Sequence, residues 1–161
     1  MPERAFRFRP LTQADAEAIA AWHYSEPYAF YDWTADPADL TELLDPAARA
    51  DAYSAVEDAA GELIGHFSFK PCGPGTIVIG LGLRPDHTGR GLGGAFLQAG
   101  IEHAQLRYQP QELSLAVATF NERAIAVYER TGFTAVRTYM HHTNGGDWEF
   151  VEMRRPADDP A

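Results

Sequence analysis

The stretch Thr76-Ile-Val-Ile-Gly-Leu-Gly-Leu83, a linker from Arg84 to Thr88, and then Gly89-Arg-Gly-Leu-Gly-Gly94 decide how this chain of 161 residues is read. The first piece is short, apolar and rich in β-branched residues, the pattern of a buried strand. After the glycines, Leu97, Ile101, Ala104 and Tyr108 recur at helical spacing. The expectation is strand, glycine-rich turn, helix. Four glycines in the six residues 89–94 leave main-chain amides uncovered and permit positive φ, so several N–H groups can converge on one point. At a helix N-terminus that point also feels the positive end of the helix dipole, which suits a phosphate or pyrophosphate.

The spacing alone does not name the ligand. Gly89-x-Gly91-x-x-Gly94 satisfies a dinucleotide-binding pattern, but that fingerprint follows its strand tightly and is answered by an acidic ribose ligand. Here Arg84–Thr88 intervene, and the next strand ends at Phe120-Asn121. A P-loop needs Lys and then Ser or Thr after the glycines, where Ala95-Phe96 stand.

Thr88-Gly89-Arg90-Gly91-Leu92-Gly93 resembles the pyrophosphate loop Arg/Gln-x-x-Gly-x-Gly/Ala of the GNAT superfamily of acyl-CoA-dependent N-acyltransferases, with Leu83-Arg84-Pro85 similar to that family's strand exit. Thr88 departs from the first position of the pattern, which removes one side-chain contact and leaves the main-chain role. A second block, Asn121-x-x-Ala124-x-x-x-Tyr128-x-x-x-Gly132-Phe133, resembles the family's segment after its fifth strand. The resemblance implies a mixed α/β (α+β) fold, a twisted mixed sheet of about seven strands flanked by about four helices, with acyl-CoA wedged where two central parallel strands part. It covers about 6–154 of a single domain spanning 1–161, with a frayed tail at 156–161.

By position, the resemblance implies that Gly89, Arg90, Gly91, Leu92, Gly93 and Gly94 bind the coenzyme. Asn121 holds its pantetheine arm, and the Tyr128 hydroxyl stands near the thioester sulfur. Attack of an amine on a thioester expels a thiolate, which a phenol with an ordinary pKa near 10 can protonate. Main-chain groups of Leu81, Gly82 and Leu83 meet the cofactor where the family's central strand splays, and an N–H there can receive the oxyanion. Gly80 and Gly82 fit a bulge in that strand. The activity implied is acetyl transfer from acetyl-CoA to a primary amine by direct attack in a ternary complex, with no metal.

The general base is left open. Members of the family that acetylate protein N-termini often carry a glutamate where this chain has Ala116, and Glu26, Asp32, His66 and Glu149 remain uncommitted candidates. Two other readings stay open: a catalytically silent acyl-CoA-binding or sensing domain, motivated by that missing carboxylate, and a dinucleotide-binding domain.

Composition bounds the partners. The formal charge of −10 disfavours nucleic acid; an acidic surface of this kind commonly serves solubility, and a cationic amine attracted by it is the second reading. The acceptor expected is the amine of a small molecule or peptide. No apolar run approaches a membrane span and Met1-Pro-Glu-Arg4 is not a signal-type start, so a cytoplasmic protein is expected. Cys72 stands in a Pro/Gly turn and is not expected to act as a nucleophile. His87, His103, His141 and His142 lack metal-ligand spacing. The sequence leaves oligomeric state open, a homodimer included.

Elsewhere, residues 5–9 read as a strand, Thr12 as the cap of a first helix, and Asp36 as the cap of a helix running to about Ala48, with Asp39, Glu42 and Asp45 on a solvated face. Trp22–Trp33, half aromatic, reads either as a lid or pocket wall or as an irregular loop packed on the core through its rings. Residues 53–56 and 63–69 form a hairpin, with His66 and Ser68 on one face and Phe67 and Phe69 on the other. Residues 112–120 read as a buried strand. Asn121 caps a helix 122–131 that Gly132 stops, and 135–143 pairs with 148–154 across an Asn-Gly-Gly turn.

Overall fold

The computed structural model describes residues 6–157. The strands are β1 (Arg7–Pro10), β2 (Tyr53–Glu57), β3 (Leu63–Pro71), β4 (Thr76–Leu83), β5 (Glu112–Ala118), β6 (Thr134–Thr143) and β7 (Gly146–Pro156). They form one sheet of seven strands in the order β1-β2-β3-β4-β5-β7-β6, antiparallel except at β4–β5. The helices are α1 (Gln13–Ala20), α2 (Pro37–Leu44), α3 (Pro46–Arg49), α4 (Gly93–Tyr108) and α5 (Glu122–Arg130).

The fifth helix arises because the stretch expected to be one helix from Asp36 to Ala48 breaks at Pro46, which lacks an N–H and forces Asp45 to extended backbone. Asp45 then caps α3 through Ala47 N, as Asp36 caps α2. Thr12 caps α1 in a reciprocal box with Asp15.

Cross-strand partners share a face, so Phe67 and Phe69 pack with Phe96, Leu97, Ile101 and Ala104 of α4 in the main core. Tyr53 and Ala55, the partners of Ser68 and His66, instead join Leu11, Ala16, Ile19 and Leu43 under α1 and α2. The sheet is thus covered on both faces, and only a gap within it can admit a ligand between them.

The tail begins later than expected. Pro156 pairs with Glu112, and Ala157 is buried with its N–H on Gln111 O. Ala5 and residues 158–161 lie outside the described range.

Candidate active site

β4 and β5 pair only at Thr76–Glu112, Ile77–Leu113 and Val78–Ser114. Beyond Val78, β4 stays with β3 while β5 follows β7 along its whole length, and the sheet opens. Arg84 N donates to Ile64 O on β3, so the alternation of a strand's backbone turns the N–H and C=O of Leu83 and Leu81 toward the opening. The Tyr24 hydroxyl donates to Leu83 O at 2.6 Å, which confirms that orientation. A cavity of about 670 Å³ threads this opening and reaches both faces of the sheet.

The bulge expected at Gly80 and Gly82 is absent, because the β3–β4 register runs unbroken from Gly65–Leu83 to Pro71–Ile77. These glycines make room for the residues opposite them. A Cβ on Gly82 would lie 2.5 Å from His66 Nε2, and one on Gly80 would lie 2.4 Å from Ser68 Oγ.

On the α4 side the glycine turn presents main chain. Gly89 and Gly91 have φ of +71° and +74°, with Leu92 between them and the helix in right-handed geometry, a sign alternation that gathers successive N–H groups. A Cβ on Gly91 would meet nothing within 4 Å, so the turn is not filled by side chains. Among the described α-helices only α4 has no side-chain cap, which leaves its first N–H groups unspent. Gly89, Gly91 and Gly93 line the cavity, whereas Arg90, Leu92 and Gly94 do not. Arg90 bonds Asp86 O at 3.3 Å, and Thr88 Oγ1 bonds Pro85 O at 2.7 Å, steadying the turn. Arg123, which the sequence reading missed, lies over the Tyr28 ring at 4.0 Å and beside Gly89.

Leu81, Gly82, Leu83, Asn121 and Tyr128 all face the cavity at or near the opening. Asn121 Oδ1 accepts from Ala124 N at 3.1 Å, capping α5. The Tyr128 ring packs on Phe133, and burial pushes its phenol well above the ordinary range, so it holds its proton at neutral pH.

On the α1–α2 side the wall is side chains. His66 is 6% exposed, its Nδ1 has no hydrogen-bond partner, Trp22 and Trp33 pack on its ring, and burial lowers its pKa to about 4, keeping it neutral. Of the other base candidates, Asp32 lines the cavity but its oxygens hold His23 Nδ1 at 3.0 Å and Tyr24 N at 2.8 Å. Glu149 accepts from Thr119 Oγ1, and neither it nor Glu26 reaches the wall.

The solvated face expected for α2 holds at Asp39 and Asp45, which are exposed, and only Glu42 is partly covered. Glu42 accepts from the Tyr53 hydroxyl at 2.5 Å and Lys70 Nζ at 2.8 Å. Asp39 is open to solvent yet lines the cavity, its carboxylate bonded to no described residue and its pKa raised by burial and by Asp36 and Glu42.

The aromatic segment closes this end. Phe30 packs on Phe120, Trp148 and Phe150, and Asn144 Nδ2 donates to Phe30 O at 2.7 Å. Asp36 Oδ2 accepts from Thr143 Oγ1 at 2.6 Å and Asn144 N at 3.1 Å, donors that hold its pKa at about 2. The β6–β7 turn thereby latches onto the segment between α1 and α2.

A family model described as acetyltransferase (GNAT) domain matches residues 6–134. The chain belongs to that family. Similar curated proteins include the mycothiol acetyltransferases of Propionibacterium freudenreichii, 35% identical over 83% of this chain, and Salinispora tropica, 33% identical over 86%. The chain spans 43% and 47% of their lengths, less than half of each. Among solved structures, spermidine N-acetyltransferase from Vibrio cholerae in complex with CoA and spermine superposes with a TM-score of 0.77, at 21% identity over 94% of this chain and 95% of that one. A GNAT-family acetyltransferase from Bacillus anthracis superposes with a TM-score of 0.75, at 16% identity over 98% and 97%. At those identities the structural matches establish the GNAT fold. Among the described residues no helix is long and apolar enough to cross a membrane, and no cluster of three His, Cys, Asp or Glu side chains could hold a metal.

Proposed function

We propose that this GNAT domain, working as a single unit over about 6–154, transfers an acetyl group from acetyl-CoA to a primary amine of a small molecule or peptide. The observation that carries the reading is one continuous cavity through the β4–β5 opening, with uncapped amides at one end and Tyr128 and His66 on its wall. The co-substrate fits the residues present: Gly89–Gly94 and the α4 N-terminus offer N–H groups to its diphosphate, and Asn121 Nδ2 and the free edge of Leu81–Leu83 offer donors and acceptors to its amide-bearing arm. That the Vibrio cholerae neighbour carries CoA and spermine supports an amine acceptor, and the name of the mycothiol acetyltransferases supports a small one.

Acetyl-CoA brings a thioester carbonyl open to attack. Tyr128 gives its proton to the departing sulfur, and an N–H of Leu81 or Leu83 hydrogen-bonds the carbonyl oxygen as it gains charge. His66, neutral and with Nδ1 unpartnered, accepts a hydrogen bond from the amine and guides its lone pair. Asp39 attracts the ammonium form into the mouth, where the ammonium gives a proton to solvent before the neutral amine reacts.

Thermal shift with acetyl-CoA and with NAD, followed by thiol release over an amine panel, tests the reading. Acetyl-CoA should raise the melting temperature and some amine should release thiol. A shift with NAD alone would mean dinucleotide binding, and a shift with acetyl-CoA but no thiol release from any amine would mean a silent binding domain.

A further inference from the structure

Arg123 is placed against the preference of its own helix. It occupies the first turn of α5, where the positive end of the helix dipole disfavours a cation, and α5 is already capped by Asn121. Such departures from local preference are expected at functional sites. Among the described residues its guanidinium forms no ion pair and no hydrogen bond. It lies over the Tyr28 ring, 4.0 Å from the ring centre, and its Nη1 is 3.8 Å from where a Cβ on Gly89 would stand, on the wall of the cavity.

The turn beside it gathers N–H groups but brings no positive side chain to the cavity. Thr88 Oγ1 is spent on Pro85 O at 2.7 Å, and Arg90, off the wall, bonds Asp86 O at 3.3 Å. Of the other basic side chains on the wall, His87 is tied to Asp86 at 2.9 Å, and Arg130 stands nearly two turns, about 10 Å, further along α5. Neutral N–H groups solvate a diphosphate without neutralising it, whereas a guanidinium does both. The ring that carries Arg123 is itself fixed. Tyr28 N donates to Ser25 O at 2.8 Å, and its segment is held on either side by Tyr24 on Leu83 O and Asn144 on Phe30 O. A planar guanidinium stacked on that ring keeps its N–H edges free for a ligand.

We propose that Arg123 donates hydrogen bonds through its guanidinium to the diphosphate of acetyl-CoA, supplying the positive side chain that the glycine turn lacks, and that Tyr28 is the positioning residue that holds it there through its ring. This rests on the acetyl-CoA reading given above. The segment that walls the acceptor end thereby also helps to hold the coenzyme.

The test is calorimetric titration of acetyl-CoA, and of acetyl-dephospho-CoA, which lacks the 3′-phosphate, into wild type, Arg123→Gln, Tyr28→Phe, Tyr28→Leu and the double variant Tyr28→Leu/Arg123→Gln, at low and high salt. Arg123 is exposed, so its replacement leaves the fold in place, and the melting temperature of each free protein checks this. Arg123→Gln should raise Kd about tenfold at low salt for both coenzymes and flatten the salt dependence. Tyr28→Leu should raise Kd about threefold, Tyr28→Phe, which keeps the ring face, should not, and Tyr28→Leu should cost nothing further once Arg123 is Gln. Equal Kd values for wild type and Arg123→Gln would overturn the contact. A loss confined to acetyl-CoA would move the guanidinium to the 3′-phosphate and overturn the diphosphate assignment. A Tyr28→Leu loss undiminished in the Arg123→Gln background would remove Tyr28 from the arrangement. If wild type itself binds no acetyl-CoA, the coenzyme reading is what fails.

Discussion

Where the cavity meets Gly89–Gly93 its wall is main chain drawn from one continuous stretch; where it meets Asp39, His66 and Phe150 its wall is side chains gathered from α2, β3 and β7. The first end offers N–H groups, which every residue carries, and needs only glycines to uncover them. The second offers a neutral imidazole, an unpaired carboxylate and a box of rings, each useful only because distant segments hold it in place. The glycine turn is a property of local backbone, and the acceptor end a property of assembly.

Between the two ends stands Tyr128, and removing its hydroxyl should have the largest effect. Tyr128→Phe should lower kcat about a hundredfold while acetyl-CoA Kd stays within about twofold, measured by thiol release and calorimetry. An unchanged kcat would detach the phenol from both ends.

The acceptor end should reveal itself through pH. His66 titrates near its ordinary value when unfolded and at about 4 when folded, so below about pH 6.5 the unfolded chain binds a proton that the native one refuses. Its contribution is complete above that pH and is lost as pH falls toward 4, on the order of 3 kcal/mol in all. His103, also lowered by burial, adds to the loss with the same sign. Urea midpoints at pH 7 and pH 5 should therefore differ more in wild type than in His66→Gln, and equal differences would place the titration elsewhere.

At the coenzyme end, Gly91→Val puts a branched side chain at φ +74° over the open turn. Acetyl-CoA Kd should rise about tenfold, with kcat at saturating acetyl-CoA within about twofold of wild type. A rise in acceptor KM instead would blur the division between the ends. The smallest effect is expected at Asp39, which is open to solvent: Asp39→Asn should raise the KM of a cationic amine about threefold at low salt and leave acetyl-CoA Kd alone. A neutral amine analogue should not feel the change.

These contrasts follow what could be read in the sequence. β4, the glycine turn, the helical spacing of α4, the Asn121 cap and both hairpins lie in contiguous residues, and the structure has them where periodicity and caps put them. The break at Pro46 was equally local and readable from proline's missing N–H. Gly80 and Gly82 were recognised as unusual in a strand, but the cause is the His66 and Ser68 side chains across the ladder, which depends on register. Asp39 reads as part of a solvated face and is exposed, but charge on a short helix carries no mark that it also borders the cavity. The Trp22–Trp33 segment announced a wall through its rings alone. Which ring does what depended on Tyr24 reaching Leu83 and Asn144 reaching Phe30.

The sequence by itself determined the strand, turn and helix that expose amide groups, and the cap-to-phenol spacing from Asn121 to Tyr128, because backbone conformation answers to neighbours a few residues away. Only the tertiary structure decided that β5 leaves β4 after Val78, and that His66 and Asp39 face one cavity. Those outcomes turn on register and packing between segments tens of residues apart, which no local pattern encodes.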